Sequence, residues 1–230
     1  MIWCVLRNKP ILVTQLGRWT RKRFRLMNCF SRPAFAVILL FASLGVSAQS
    51  KGSAEIRRID ALAKSTDREV NKAIKVIVAD VADFDKDKAE WKLFGSEQEL
   101  EKFREKTETY TTALNWKRNG KLIATNLTLS SPSGDWSKFL FHYFRPDGSL
   151  ALVRSELRTF YGDYVVKESR YFDRQGRLIR KSIKYFDLIS GKPKKPTREL
   201  REDKPSFYKV DYFVNARKLP FAELILIQGH

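Results

Sequence analysis

The stretch YFDRQGRLIRKS (171–182) has two near-relatives upstream, YFRPDGSLALVRS (143–155) and NWKRNGKLIATN (115–126), and the three begin 28 residues apart. Each contains an aromatic residue, then a turn with glycine, then a leucine. Glycine readily adopts the positive φ that tight turns require, and Asn119-Gly120 and Asp147-Gly148 are strong hairpin signals. The stretch therefore predicts a β-hairpin that occurs three times.

A second marker has the same period, because the GDW sequence at 134–136 returns as GDY at 162–164. Each 28-residue unit thus contains two turns with about 10 residues of strand between them. The pattern predicts an antiparallel up-and-down meander, in which each repeated aromatic residue faces the leucine across its hairpin. The predicted strands are 107–117, 121–131, 136–145, 149–160, 164–173 and 177–187, with SFYKVDYFV (206–214) as a candidate seventh.

The region before the meander has a helical pattern. Apolar residues from Ile56 to Val81 recur at spacings of three and four, which predicts one helix over 54–83, or two with a break at Asp67. Ser96 and Glu99 form a capping box at the start of a second short helix. We therefore expect an α+β fold, in which N-terminal helices (49–106) pack on one face of a six- to seven-stranded meander (107–230), and 49–230 form a single domain.

The first 48 residues resemble a secretory signal peptide. They contain eight Lys plus Arg and no acidic residue, followed by the apolar run AFAVILLFASLGV (34–46) and small residues at 46–48. This order predicts cleavage before Gln49 and an exported protein, periplasmic or secreted, with no transmembrane span in its mature form. Met27 offers an alternative start that retains the whole apolar run.

The mature chain remains basic and has no cysteine. Removing the eight basic residues of the leader from the net charge of +18 leaves +10, and Cys4 and Cys29 both lie in the leader. Stability must therefore come from the core and not from disulfides. The positive charge favours an anionic partner, and the predicted compartment favours an envelope component over nucleic acid.

Two regions are candidates for binding. The segment SGKPKKPTRELREDKP (190–205) is predicted to be an exposed loop, and its basic half offers an anionic partner Lys192, Lys194, Lys195 and Arg198. The strand WSKFLFHYF (136–144) is apolar on both faces, so it is covered twice, either by the sheet itself or by an apolar ligand. The candidate groove residues are Trp136, Phe139, Phe141, His142 and Tyr143.

The chain has no motif of a known catalytic centre. G-x-S-x-G, H-E-x-x-H, the phosphate loop and G-x-G-x-x-G are all missing from the sequence, and no cofactor is predicted. Asp83, Asp85 and Asp87 alternate as in a calcium loop, but Lys88 and Phe94 occupy the positions that require Gly and Glu. We interpret this stretch as an acidic linker with no metal. The sequence favours a non-enzymatic binding or structural module, with a carrier of a lipid or other apolar ligand as the alternative.

The leader yields a first testable prediction. We expect the exported protein to begin at Gln49, because small residues follow the apolar run where signal peptidase cleaves. Intact-mass analysis of the exported protein measures this directly. An exported species that retains residues 34–46 would contradict it.

Overall fold

Eight antiparallel strands form one sheet in the computed structural model, which describes residues 43–82, 86, 88–202 and 204–226. Most of the predicted leader and the alternating Asp83, Asp85 and Asp87 lie outside these residues. The strands are β1 (Ile74–Asp80), β2 (Trp91–Phe94), β3 (Thr111–Arg118), β4 (Lys121–Ser130), β5 (Trp136–Phe144), β6 (Leu150–Thr159), β7 (Tyr164–Phe172) and β8 (Leu178–Asp187). The helices are α1 (Ser43–Glu69), α2 (Glu97–Arg104), α3 (Arg198–Glu202) and α4 (Ala222–Leu226).

The strands from β3 to β8 follow one another as a meander, as predicted, and β1 and β2 extend it. The order across the sheet is β2-β1-β3-β4-β5-β6-β7-β8. The sheet therefore has eight strands and not the six or seven expected.

The prediction of a helix over 54–83 is wrong at its C-terminal end. Helix α1 ends at Glu69, and Ile74–Asp80 forms β1 between β2 and β3. Apolar residues at 74, 77 and 81 fit helical spacing, but IKVIVAD is rich in β-branched residues, which favour strands. Because β1 is covered on both faces, its apolar residues run consecutively, and the sequence gives no alternation to reveal it.

Glycines with positive φ stand at the turns of the meander at a regular spacing. Gly120, Gly134, Gly148, Gly162 and Gly176 follow each other at 14-residue intervals, with φ between +71° and +81°. The first hairpin also has Asn119 at φ +49°, so both central residues of its turn are left-handed, as in a type I′ turn. Phe144 pairs with Leu150 and Phe172 with Leu178, as expected, but Leu122 pairs with Lys117 and not with Trp116.

By the strand register, Ile77, Tyr143 and Leu152 lie on the same side of the sheet, which we call the helix face. Ile59 and Ala63 of α1 lie in a buried cluster with Tyr143 and Leu152. Leu100 of α2 joins a cluster with Ile77 of β1. The predicted cap of α2 is confirmed, since the Ser96 side chain accepts a hydrogen bond from the Glu99 amide at 3.1 Å.

The opposite side of the sheet, the C-terminal face, is covered by the chain that follows β8. Phe221 and Ile225 are fully buried and share the largest core cluster with Phe144 and Phe172. The predicted seventh strand at 206–214 is wrong. Residues 206–208 form a 3-10 turn, and no strand follows up to 214. The Leu150 amide donates to the Val214 carbonyl at 2.9 Å, and the next residue, Asn215, forms an isolated bridge with Ser149.

Three basic side chains of the sheet hold this irregular segment. Lys117 Nζ donates to the Ile225 carbonyl at 2.9 Å and Lys138 Nζ to the Lys209 carbonyl at 2.8 Å. Arg170 donates to the Val210 carbonyl at 3.3 Å. Both lysines are less than a tenth exposed, so each contact satisfies a buried charge and a backbone carbonyl together.

The turn geometry yields a second prediction. Gly120→Val should lower the free energy of unfolding by about 1 to 3 kcal/mol, because a β-branched residue resists positive φ. A Cβ at Gly120 meets no atom within 4 Å, so steric crowding does not contribute. Urea titration measures the change. Gly120→Asn is the matched control and should cost less, since asparagine tolerates the left-handed region; equal losses in both variants would contradict the explanation.

Candidate functional site: a basic and apolar end of the sheet

Three turns meet at one end of the sheet, which we call the Gly162 end. They comprise residues 131–135, 160–163 and 187–192. The Phe160 amide donates to the Asp135 carbonyl at 3.0 Å, and the Leu188 amide donates to the Asp163 carbonyl at 3.0 Å. These backbone hydrogen bonds join the turns into a continuous platform.

Lys194 fastens the following chain to this platform. Its ammonium donates to the carbonyls of Gly162 at 2.8 Å and Asp163 at 3.2 Å. It also lies 3.3 Å from a carboxylate oxygen of Asp187 and 4.6 Å from the centre of the Tyr164 ring. Lys194, one of the four predicted anion-binding residues, thus already has several partners in the chain.

Asp187 is held in its charged form. The Ser190 amide and hydroxyl donate to its carboxylate at 2.9 and 2.8 Å, and with Lys194 they lower the pKa of Asp187 to about 2. Its negative charge is therefore balanced locally at neutral pH.

The other three predicted residues differ in their surroundings. Arg198 forms an ion pair with Glu202 at 2.8 Å, within the same turn of α3. Lys192 and Lys195 are exposed, and neither ammonium has a partner among the described residues. The structure thus leaves these two lysines available for an outside partner.

The segment 190–205 is partly exposed, but it is not the simple loop that the sequence predicted. It contains α3, whose Leu200 is 1% exposed and lies in a cluster with Leu157 and Val166. The Tyr164 hydroxyl donates to the Lys195 carbonyl at 3.1 Å, and the Thr197 amide donates to that hydroxyl at 3.2 Å. These contacts fix the position from which Lys195 projects.

More basic residues lie nearby on the helix face. Arg158 and Lys167 both contact Glu156, at 2.7 and 3.1 Å. Burial disfavours the Glu156 charge, but hydrogen bonds from Arg158 and Lys167 outweigh it and lower its pKa. Lys167 is directly opposite Lys184 in the register of β7 and β8, and Glu156 neutralises one of these two like charges.

Exposed apolar side chains accompany these charges. Phe160 is 67% exposed and Ile189 is 89% exposed, and both lie in turns of the Gly162 end. Leu188 lines two open depressions, one of about 270 Å³ with Phe160 and one of about 330 Å³ with Ile189 and Lys167. Sequence reasoning missed these residues; the available signal was the apolar content of the turns FYGD and LISG, where polar residues are usual.

The five candidate groove residues lie on both faces of β5. Trp136 is on the C-terminal face and stacks on Phe207 with ring centres 5.5 Å apart. Phe141 is on the helix face and stacks on Trp116 at 5.3 Å. Phe139, Phe141 and Tyr143 share the helix face, whereas Trp136 and His142 share the C-terminal face. The strand is thus covered on its two sides by different parts of the chain.

Tyr143 belongs to a polar contact with α1. Its hydroxyl donates to Asp67 at 2.7 Å and accepts from Arg154 at 2.7 Å. Burial, together with the Asp67 hydrogen bond, raises the pKa of Tyr143 well above its usual value. The hydroxyl is therefore a neutral link between the helix and the sheet.

His142 is fully buried beneath the C-terminal segment. Its ring lies 5.9 Å from that of Phe213, and its Nδ1 is 3.1 Å from the Leu140 carbonyl. Burial lowers the pKa of His142 to about 4, with the Leu140 hydrogen bond opposing part of the shift. This histidine is consequently neutral at pH 7 and packs as a core residue.

No family model, curated protein or solved structure matches the chain. Within the part of the chain that the structure describes, no three His, Cys, Asp or Glu side chains come together as a metal site would require. Among the same residues, no helix has the length and apolar character needed to cross a membrane.

His142 yields a third prediction, on the pH dependence of stability. Its pKa is lower in the folded protein than the ordinary histidine pKa of 6.5, so the unfolded chain takes up the proton first as pH falls. We expect stability to decrease between pH 6.5 and pH 4, by on the order of 3 kcal/mol from this group. Urea titrations of the wild type and His142→Leu across this range should show a shallower pH dependence in the variant.

Leu140→Ala is the control for this measurement. It removes a buried, non-titrating side chain from the same face of β5, so it should lower stability by a similar amount at every pH. If His142→Leu behaves in the same way, the histidine does not contribute to acid sensitivity.

Proposed function

We propose that this protein is an exported, non-enzymatic binding module of the cell envelope that attaches to an anionic partner through its Gly162 end. The observation that carries the proposal is the contrast among four neighbouring cations. Lys194 and Arg198 are paired within the chain, whereas Lys192 and Lys195 are exposed and unpaired among the described residues.

The platform beneath these lysines supports this proposal. Backbone hydrogen bonds join the turns, and Lys194 and Tyr164 fix the chain on both sides of Lys195. A partner therefore meets charges on a preorganised backbone, which reduces the entropy lost on binding.

Net charge supports the same partner class. The chain beyond the predicted leader has a charge of +10, which attracts anionic surfaces over long range. Exposed charges are screened over about 8 Å at physiological ionic strength, so binding through them weakens as salt rises.

The proposed architecture for this role includes two features inferred from the sequence pattern. Each 28-residue unit contains two turns, and successive turns of a meander lie at opposite ends of the sheet. One turn of each unit therefore lies at the Gly162 end. Both longer helices pack on the helix face, away from the C-terminal segment that contains Lys192 and Lys195. This leaves the basic segment free to meet a partner.

A second candidate function is transport of an apolar ligand. It is favoured by Phe139 and Phe141, which remain only partly buried on the helix face. It is also favoured by the buried Asn126 side-chain oxygen, which has no hydrogen-bond partner within the described part of the chain. Extraction of the purified protein followed by mass spectrometry tests it. A co-purifying lipid supports the carrier, and a ligand-free protein argues against it.

The fourth prediction tests the proposed binding residues. Replacing Lys192 and Lys195 by Ser should weaken binding to an anionic polymer such as dextran sulfate by about tenfold or more, because each lysine near an anionic surface contributes favourably. The melting temperature should stay almost unchanged, since these side chains make no contacts that the fold requires. Binding is measured in low and high salt.

Lys121→Ser with Lys218→Ser is the matched control. These lysines are also exposed, and the change in net charge is identical, but they lie away from the Gly162 end. Equal loss of affinity in both double variants would mean that net charge alone, and not this site, attracts the polymer.

A further inference from the structure

The Gly162 end combines apolar side chains at its tip with basic side chains set back from it. Phe160 and Ile189 are the most exposed apolar residues there, at 67% and 89%. Tyr161, 49% exposed, lies beside them and has an edge-on ring contact with Phe207 at 6.2 Å. Exposing such side chains to water is unfavourable, so their concentration on adjoining turns indicates a surface that becomes covered.

The basic residues are separated from this tip along the chain. Arg158 lies near the end of β6, two residues before the turn residue Phe160, which corresponds to at most about 7 Å of extended chain. Lys192 follows Ile189 by three residues, on the chain that returns from the turn. An apolar group that enters a membrane interface reaches about 5 to 10 Å into it, which would leave these cations at the level of the headgroups.

The charges of this region also fit an anionic surface. Lys167 and Lys184 are directly opposite each other in the sheet, and Lys192 has no partner among the described residues. Glu156 and Asp187 are each already engaged with basic side chains. Lys167 is paired with Glu156, so Lys184 and Lys192 are the cations here that anionic groups outside the chain would neutralise.

We propose that the anionic partner is a lipid membrane, and that Phe160 and Ile189 insert between its headgroups while the surrounding cations bind the anionic lipids. This inference rests on the proposed function, which it makes specific. A soluble anionic polymer satisfies the lysines but offers no apolar interior, so the exposed side chains at the tip favour the bilayer over a polysaccharide.

The experiment compares two ligands and two double variants of the exported protein. The ligands are vesicles of phosphatidylcholine with phosphatidylglycerol, and dextran sulfate. Phe160→Ser with Ile189→Ser should bind vesicles about tenfold more weakly or worse, because it loses apolar burial, and should bind dextran sulfate as the wild type does. Lys192→Ser with Lys195→Ser should lose affinity for both ligands.

A label at the tip gives a readout that does not depend on affinity. Cys4 and Cys29 both lie in the predicted leader, so the exported protein accepts a single environment-sensitive dye at Ile189→Cys. The dye should shift to shorter wavelength when anionic vesicles are added. Ile74→Cys is the matched control, because Ile74 is 69% exposed near the opposite end of the sheet, and its dye should not respond.

The outcomes separate this inference from the proposed function. If the Phe160 and Ile189 variant binds vesicles like the wild type and the dye at 189 does not respond, insertion is wrong, and loss of binding in the lysine variant would still support the proposed function. If the wild type binds neither ligand, both are wrong. A concentration-dependent dimer that these serine substitutions abolish would show that a second copy covers the tip, and would overturn the inference.

Discussion

Hydrogen bonds from basic side chains of the sheet to backbone carbonyls of the C-terminal segment are the interaction on which the structure depends. Residues 206–226 contain only short helical turns, so much of their backbone lacks partners within its own secondary structure. Lys117, Lys138 and Arg170 provide donors at three places along this segment. Without Lys117, the buried Ile225 carbonyl would go unsatisfied, at a cost of about 1 to 3 kcal/mol.

Covering the C-terminal face has consequences for the rest of the molecule. The segment allows both faces of β5 to be apolar, because it covers the buried His142 and the half-buried Trp136 while Tyr143 packs against α1. The same arrangement keeps His142 neutral by burial. A strand that the sequence marks as suitable for a ligand groove is therefore used on both sides for packing within the chain.

The Gly162 end gains its properties from chain segments that are distant in sequence. Lys194 reaches back to Gly162 and Asp163, and Tyr164 holds the backbone on either side of Lys195. Lys194 and Arg198 bind groups within the chain. Lys192 and Lys195 face solvent. The chemistry of the site thus depends on which charges the fold has already neutralised, more than on how many it contains.

The sequence by itself determined the meander, since glycines at fixed intervals and the strands between them are local features. Asn119-Gly120 adopts the turn that its residue types prefer, and Ser96 caps α2 as its spacing to Glu99 indicates. Only the tertiary structure decided that 74–80 is a strand, because burial on both faces removes the alternation that reveals strands in sequence. It also decided that, among the described residues, Lys194 has partners and Lys192 and Lys195 have none. This depends on carbonyls and carboxylates that long-range packing brings within hydrogen-bond distance.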